Sequence, residues 1–181
     1  MAPITKTMIS DAFLELSKGK SIDKITVKDI VETCHITRQT FYYHFQDITD
    51  VIEWSLQQRM EEISRESFQA ESMQDAIRIL VSTVVEYSKI INRLMSSQKR
   101  DQTERLLVST IRSYIEELID KNGLYLDVRR SDMEMVLSFY SYGVVGVLLK
   151  ICHNPKNVNS DMISRQVYQL ISGEMFKKED I

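Results

Sequence analysis

Apolar residues recur at intervals of three and four along nearly the whole chain, and little interrupts them. Ile9, Ala12, Phe13 and Leu16 fall at i, i+3, i+4 and i+7, one inward face of a helix. Across 181 residues there are 2 prolines and 5 glycines, too few to break the chain into many short strands and turns. The spacing predicts a first helix over residues 5–17, stopped at Gly19. Thr26 with Asp29 three residues on is a capping-box pattern, so a short second helix follows with Val27, Ile30, Val31 and Cys34 inward. Thr37 caps a third, with Phe41 and Phe45 pointing into the core. Longer helices are expected over residues 49–67, from 72 to 94, and over 103–121, 131–152 and 160–175. No strand-like alternation, internal repeat or low-complexity tract appears. The fold class is all-α: three small helices in residues 1–48, then a larger helical domain over 49–181.

A hydrophobic fraction of 43% with 27% charged residues is that of a globular protein with a real core. No window reaches the roughly 20 apolar residues of a bilayer span, and the charge-free run 135–149 reads as too short, so no membrane partner is expected. The N-terminus lacks the zones of a signal peptide, which points to a cytoplasmic location. Cys34 and Cys152 have neither CxxC spacing nor a ligand pattern with the neighbouring histidines, so neither a disulfide nor a metal is expected. There is no phosphate-cradling glycine loop, HExxH or GxSxG, and the three histidines lack a nucleophile partner. No catalytic residue and no cofactor is expected.

The most informative stretch is ITVKDIVETCHITRQTFYYHF, residues 25–45. Two short helices joined by about three residues, the second opening on Arg38-Gln39-Thr40, have helix-turn-helix geometry, in which the second helix enters the major groove. Gln39, Tyr42, Tyr43 and Gln46 share its outer side. Arg38 suits a phosphate or a guanine edge, Gln39 adenine, and the Thr40 methyl a thymine methyl. Tyr42, Tyr43 and His44 can donate to phosphates, which fix register. Charge argues the other way: residues 1–50 carry 6 Lys and Arg against 7 Asp and Glu, where a DNA-binding domain usually has a basic excess.

These residues, with Phe13, the run Phe41-Tyr42-Tyr43-His44-Phe45 and Asp47, resemble the TetR family of one-component transcriptional regulators over about residues 7–56. The resemblance implies a DNA-binding helix-turn-helix domain, phosphate contact at Thr26, and a DNA-facing surface at Arg38, Gln39, Thr40, Tyr42, Tyr43 and His44. Two positions depart from the family: His35 stands at a turn position usually held by glycine, and Ile48 where a lysine is common. Losing that lysine removes a phosphate contact and, together with the acidic bias, predicts modest affinity and a shallow salt dependence of DNA binding. RQTFYYHFQD and SDMEMVLSFYSYG are similar to the subgroup that includes activators of dihydroxyacetone kinase operons.

The resemblance further implies a homodimer on a palindromic, double-stranded DNA operator, with the last two helices forming the seam. Gly143, Gly146, Val167 and Leu170 are the candidate seam residues; for the glycines the alternative is packing against the chain's own helices, and both readings keep the segment buried. Tyr87, Tyr114, Phe139 and Tyr140 are candidates to line an effector pocket, or are simply core. The signal is either a small molecule of unknown identity or a kinase-like protein partner. Two other readings stay open. One is a helical interaction module whose N-terminal domain no longer binds DNA, and the other a small-molecule carrier.

Overall fold

In the computed structural model, residues 2–125 and 127–176 are described. Their eight α-helices are α1 (Ala2–Gly19), α2 (Val27–Cys34), α3 (Arg38–His44), α4 (Ile48–Phe68), α5 (Met73–Met95), α6 (Arg100–Asn122), α7 (Arg130–His153) and α8 (Ser160–Ile171). Single 3-10 turns lie at Ile22–Lys24, Pro155–Asn157 and Glu174–Phe176, and the first of these was not expected from the sequence. The all-α expectation is met, with no strand among the described residues.

The chain divides into two compact units. The first holds residues 1–59 and 89–106, the second residues 60–88 and 107–181. The first unit is therefore larger than the 48 residues expected, because the end of α5 and the start of α6 belong to it. In it α1 packs against α2 and α3. Ile9, Phe13, Ile30 and Phe41 are at most 1% exposed, and Phe45, Val51 and Leu94 are also buried. Arg93 fixes the far end of α1: one guanidinium nitrogen donates to the Ser17 carbonyl and, at 3.1 Å, to that of Lys20, carbonyls that a helix end leaves without an internal donor.

In the second unit α5, α6, α7 and α8 contribute Ile77, Leu80, Val81, Ile115, Leu118, Leu137, Val144, Leu148 and Ile171 to one core, with Ile63 from α4. Tyr114 lies within it, its hydroxyl 2.8 Å from that of Ser67 and donating to the Ala76 carbonyl at 2.9 Å. Burial pushes this phenol up to about 12.

One expectation is corrected here. Helix α7 has 24 residues and an apolar stretch of mean hydropathy 1.7, so by length and composition alone it is sufficient to cross a membrane. Its apolar character has two origins. Leu137, Ser141, Val144, Val145, Leu148, Ile151 and Cys152 face the core. Met135, Phe139 and Tyr142 occupy the opposite side, at 71%, 72% and 65% exposure.

Candidate nucleic-acid interface

Each end of the helix-turn-helix is set by local chemistry. Thr26 caps α2 in a full capping box: its hydroxyl oxygen accepts the Asp29 amide, and its own amide donates to the Asp29 carboxylate at 2.8 Å. Lys20 reaches the same carboxylate at 2.6 Å. The Lys20 bond, then the Thr26 hydroxyl and amide, hold the Asp29 carboxyl down to about 2. The Thr26 hydroxyl also donates to that carboxylate at 2.7 Å, so a phosphate at this helix start would compete with Asp29 for it.

His35 takes the left-handed conformation that the turn requires, at φ 54° and ψ 41°. The Ile36 amide closes back on the Val31 carbonyl at 3.0 Å, as in a helix end normally completed by glycine. Because a left-handed L-residue costs about 1 kcal/mol or more, His35→Gly is expected to stabilise the protein by about 1 kcal/mol. The urea midpoint checks this: a fall instead of a rise would mean that the exposed imidazole makes a stabilising contact.

Helix α3 begins at Thr37, whose hydroxyl oxygen accepts the Thr40 amide at 3.1 Å. Its inner side is aromatic. Phe41 packs at 6.1 Å from Phe45, and Phe45 at 6.0 Å, edge-on, from Trp54 of α4. With that side fixed, Arg38, Gln39, Tyr42 and Tyr43 are exposed together on the other, Tyr43 at 82%. Thr40 and His44 are half-buried at the edges of this face, and Thr26 is exposed at the start of α2. The rings of Tyr43 and His44 meet edge to face at 5.0 Å.

The start of α4 is acidic. Asp47 accepts the Thr49 and Asp50 amides, and Asp50 accepts that of Gln46. Burial works to raise the Asp47 pKa, but those two amides, the Thr49 hydroxyl and nearby Lys99 outweigh it and hold the carboxyl below its ordinary value. Lys99 also hydrogen-bonds the Thr49 hydroxyl, Gln98 the Asp23 carboxylate, and Gln102 Glu53. Sequence reading missed this belt of contacts from residues 93–102, which lie 49 to 76 positions from their partners.

The second set of candidates is scattered. Tyr114 is buried and lines an apolar cavity of about 10 Å³, room for about one water. Phe139 points outward at 72% exposure. Tyr140 is half-buried, its hydroxyl donating to the Leu170 carbonyl at 2.9 Å and lying 3.0 Å from that of Tyr125, and Tyr87 is half-buried on α5. Of the four aromatics, Tyr114 lines that cavity, while Phe139 is exposed on the outer side of α7.

Gly143 and Gly146 are exposed, and a Cβ added to either would meet no atom of another described element within 4 Å. Internal packing does not explain them: one side of the segment is buried in the core, and the side that carries the two glycines is not buried within the chain. They share the outer side of α7 with Met135, Phe139 and Tyr142. On α8, Met162 and Leu170 are exposed at 52% and 36%. Val167 departs from the expected set: with Ser164 and Ile171 it lies on the inner face of α8, 8% exposed, in the core of its own unit.

The sequence matches the bacterial regulatory proteins, tetR family, over residues 9–53, and the transcriptional regulator C-terminal region over residues 71–173. The chain belongs to the TetR family. As a TetR-family transcriptional regulator it carries its helix-turn-helix in the first unit. Among its relatives is the HTH-type dhaKLM operon transcriptional activator DhaS of Lactococcus lactis subsp. lactis, 30% identical over 78 residues; the match spans 43% of this chain and 42% of that one. TetR-family folds of known structure align over nearly the full length. A dihydroxyacetone kinase operon activator DhaS superposes with a TM-score of 0.73 at 16% identity, covering 96% of this chain and 97% of that one. The fatty acid degradation regulator FadR from Bacillus halodurans gives 0.60 at 15%, covering 96% and 97%. NalD, the secondary repressor of the MexAB-OprM multidrug efflux pump in Pseudomonas aeruginosa, gives 0.55 at 17%, covering 94% and 96%.

Proposed function

We propose that this regulator binds a palindromic DNA operator as a homodimer, in the cytoplasm, and that a signal received by the second unit changes its affinity for DNA. The observation that carries the DNA reading is the outer face of α3, where Arg38, Gln39, Tyr42 and Tyr43 stand exposed while Phe41 and Phe45 fix the helix from behind. Arg38 and Gln39 carry the donors that distinguish base edges, and the tyrosine hydroxyls suit phosphates.

Homodimerisation is supported by the exposed apolar side of α7 with Met162 and Leu170 of α8, since scattered apolar residues are ordinary on a monomer but a continuous stripe is not. In the dimer, two recognition helices about 34–36 Å apart would enter successive major grooves. A signal that favours one spacing by about 1–3 kcal/mol changes operator affinity from several-fold to about a hundredfold. Helices α4, α5 and α6 each contribute residues to both units, so the chain itself carries that signal. The source of the signal is either a small molecule or, as the subgroup resemblance in the sequence implies, a kinase-like protein partner. The 10 Å³ cavity beside Tyr114 is too small for a metabolite unless the core opens.

Tyr42→Phe is expected to weaken operator binding about thirtyfold or more, the loss in each subunit of one phosphate hydrogen bond worth about 1 kcal/mol or more, with the dimer intact. Fluorescence anisotropy on labelled duplex reads this, and unchanged affinity removes the Tyr42 hydroxyl from the interface. A second reading, a partner-binding module that no longer holds DNA, is favoured by Asp29 and Asp47, carboxylates seated at two helix starts where phosphates would otherwise bind. Absence of duplex binding at low salt by a folded dimer would select it.

A further inference from the structure

The 6 Lys and Arg of residues 1–50 are not equally engaged. Lys18 pairs with Glu15 and Lys20 with Asp29, each at 2.6 Å, and Lys28 lies 3.7 Å from Glu32. Among the described residues, Lys6, Lys24 and Arg38 form no ion pair. Arg38 is exposed on the outer side of α3. Of the two lysines, Lys6 stands against the recognition helix. It is half-buried near the start of α1, and its ammonium nitrogen lies over the Phe45 ring, 5.4 Å from the centroid. Phe45 ends α3, directly after His44 and two residues after Tyr43, and its ring is fixed by Phe41 and Trp54. An aromatic ring attracts a cation through its quadrupole but has no net charge, so it holds the ammonium in place without cancelling its charge. The carboxylates that follow in sequence, Asp47 and Asp50, accept the amides of Gln46, Thr49 and Asp50 instead. Lys6 is thus a positioned and uncompensated positive charge beside the end of α3.

We infer that Lys6 is a further DNA contact of this protein, its ammonium binding a backbone phosphate of the operator beside those met by Tyr43 and His44. This rests on the operator-binding reading above and adds a residue of α1, outside the helix-turn-helix. An ammonium is a compact point charge that suits a phosphate, and a phosphate contact carries no base information. Lys6 therefore raises affinity without altering sequence preference. Resting on Phe45 before DNA arrives, its side chain has less freedom to lose on binding.

The test uses the full-length protein and an operator recovered from random duplexes, with affinity read by anisotropy over a salt series. Lys6→Met removes the charge and keeps an unbranched side chain for the Phe45 ring, while Lys6→Arg keeps the charge. Each neutralised phosphate adds about 0.9 to the slope of log affinity against log salt, so losing one in each subunit should lower the slope by about 2. The advantage of the wild-type protein over Lys6→Met should then shrink about tenfold between about 50 and 200 mM salt. The ranking of operators with single changed base pairs should stay the same, and Lys6→Arg should keep the wild-type slope. An unchanged slope in Lys6→Met overturns the inference, and a lower urea midpoint alongside it would assign Lys6 to packing on Phe45 alone. A slope lowered as far in Lys6→Arg overturns it as well. If the wild-type protein binds no duplex, the operator reading falls and this inference with it. Duplex binding whose salt slope is indifferent to the charge at residue 6 removes this inference alone.

Discussion

Replacing Phe41 by alanine is expected to cost about 3–5 kcal/mol of stability in the helix-turn-helix unit. Phe41 is fully buried, contacts the Tyr42 ring edge-on at 5.5 Å, and packs against Phe45, which in turn meets Trp54 of α4. Helix α3 has only 7 residues. An isolated helix of that length is not stable in water, so its order comes from the apolar side it buries. Removing the ring leaves a cavity under the recognition helix and withdraws the contact that aims Tyr42 and Tyr43 outward. Urea unfolding should show the loss, and at temperatures where the variant is still folded its operator affinity should fall further than that of Tyr42→Phe. A cost under about 1 kcal/mol would mean that α3 is held by other contacts.

Introducing a charge at Phe139 should have the larger effect on assembly. Phe139 stands 72% exposed on α7, between Met135 and Tyr142, with Gly143 and Gly146 on the same side. In a two-fold interface each residue acts twice, so Phe139→Glu places two carboxylates in one apolar seam. Since Phe139 makes no part of the monomer core, helicity should be unchanged while sedimentation shifts from dimer to monomer. Operator affinity should drop by about a hundredfold or more, because two linked half-site contacts become independent ones. A variant that stays dimeric would place the subunit contact elsewhere.

The contrast between Phe139 and Phe41 shows which parts of this molecule can be read from its sequence. Around α2 and α3 the information is local. Thr26 with Asp29, and Thr37 with Phe41 and Phe45, fix caps and faces within a few residues, and His35 falls in the one position where a left-handed residue completes the turn. On α7 the same reasoning has nothing to hold. Both sides are apolar, so periodicity does not say which looks inward, and Phe139 reads as core or pocket when it is exposed. On α8, Val167 and Leu170 are three residues apart and apolar, yet only Leu170 is on the outer side. Arg93, Gln98, Lys99 and Gln102 carry polar side chains or amides whose partners are 49 to 76 residues away, and no local pattern announces such pairs.

The same locality explains the charge puzzle. Residues 1–50 hold no basic excess, yet Asp29 is occupied by Lys20 and the cap of α2, and Asp47 by the amides at the start of α4. Part of the negative charge is thus engaged in holding helix ends, and Arg38 is exposed on the outer side of α3. With only 6 Lys and Arg in residues 1–50, Lys20 among them held by Asp29, affinity for DNA should depend on salt less steeply than in a strongly basic helix-turn-helix protein.

The most direct measurement is selection of duplexes from a random DNA pool by the full-length protein at low salt, followed by sequencing. The account predicts enrichment of a palindrome whose half-sites lie about one helical turn, roughly 10 base pairs, apart. Failure to enrich any sequence, with the protein shown to be a folded dimer in the same buffer, would contradict it.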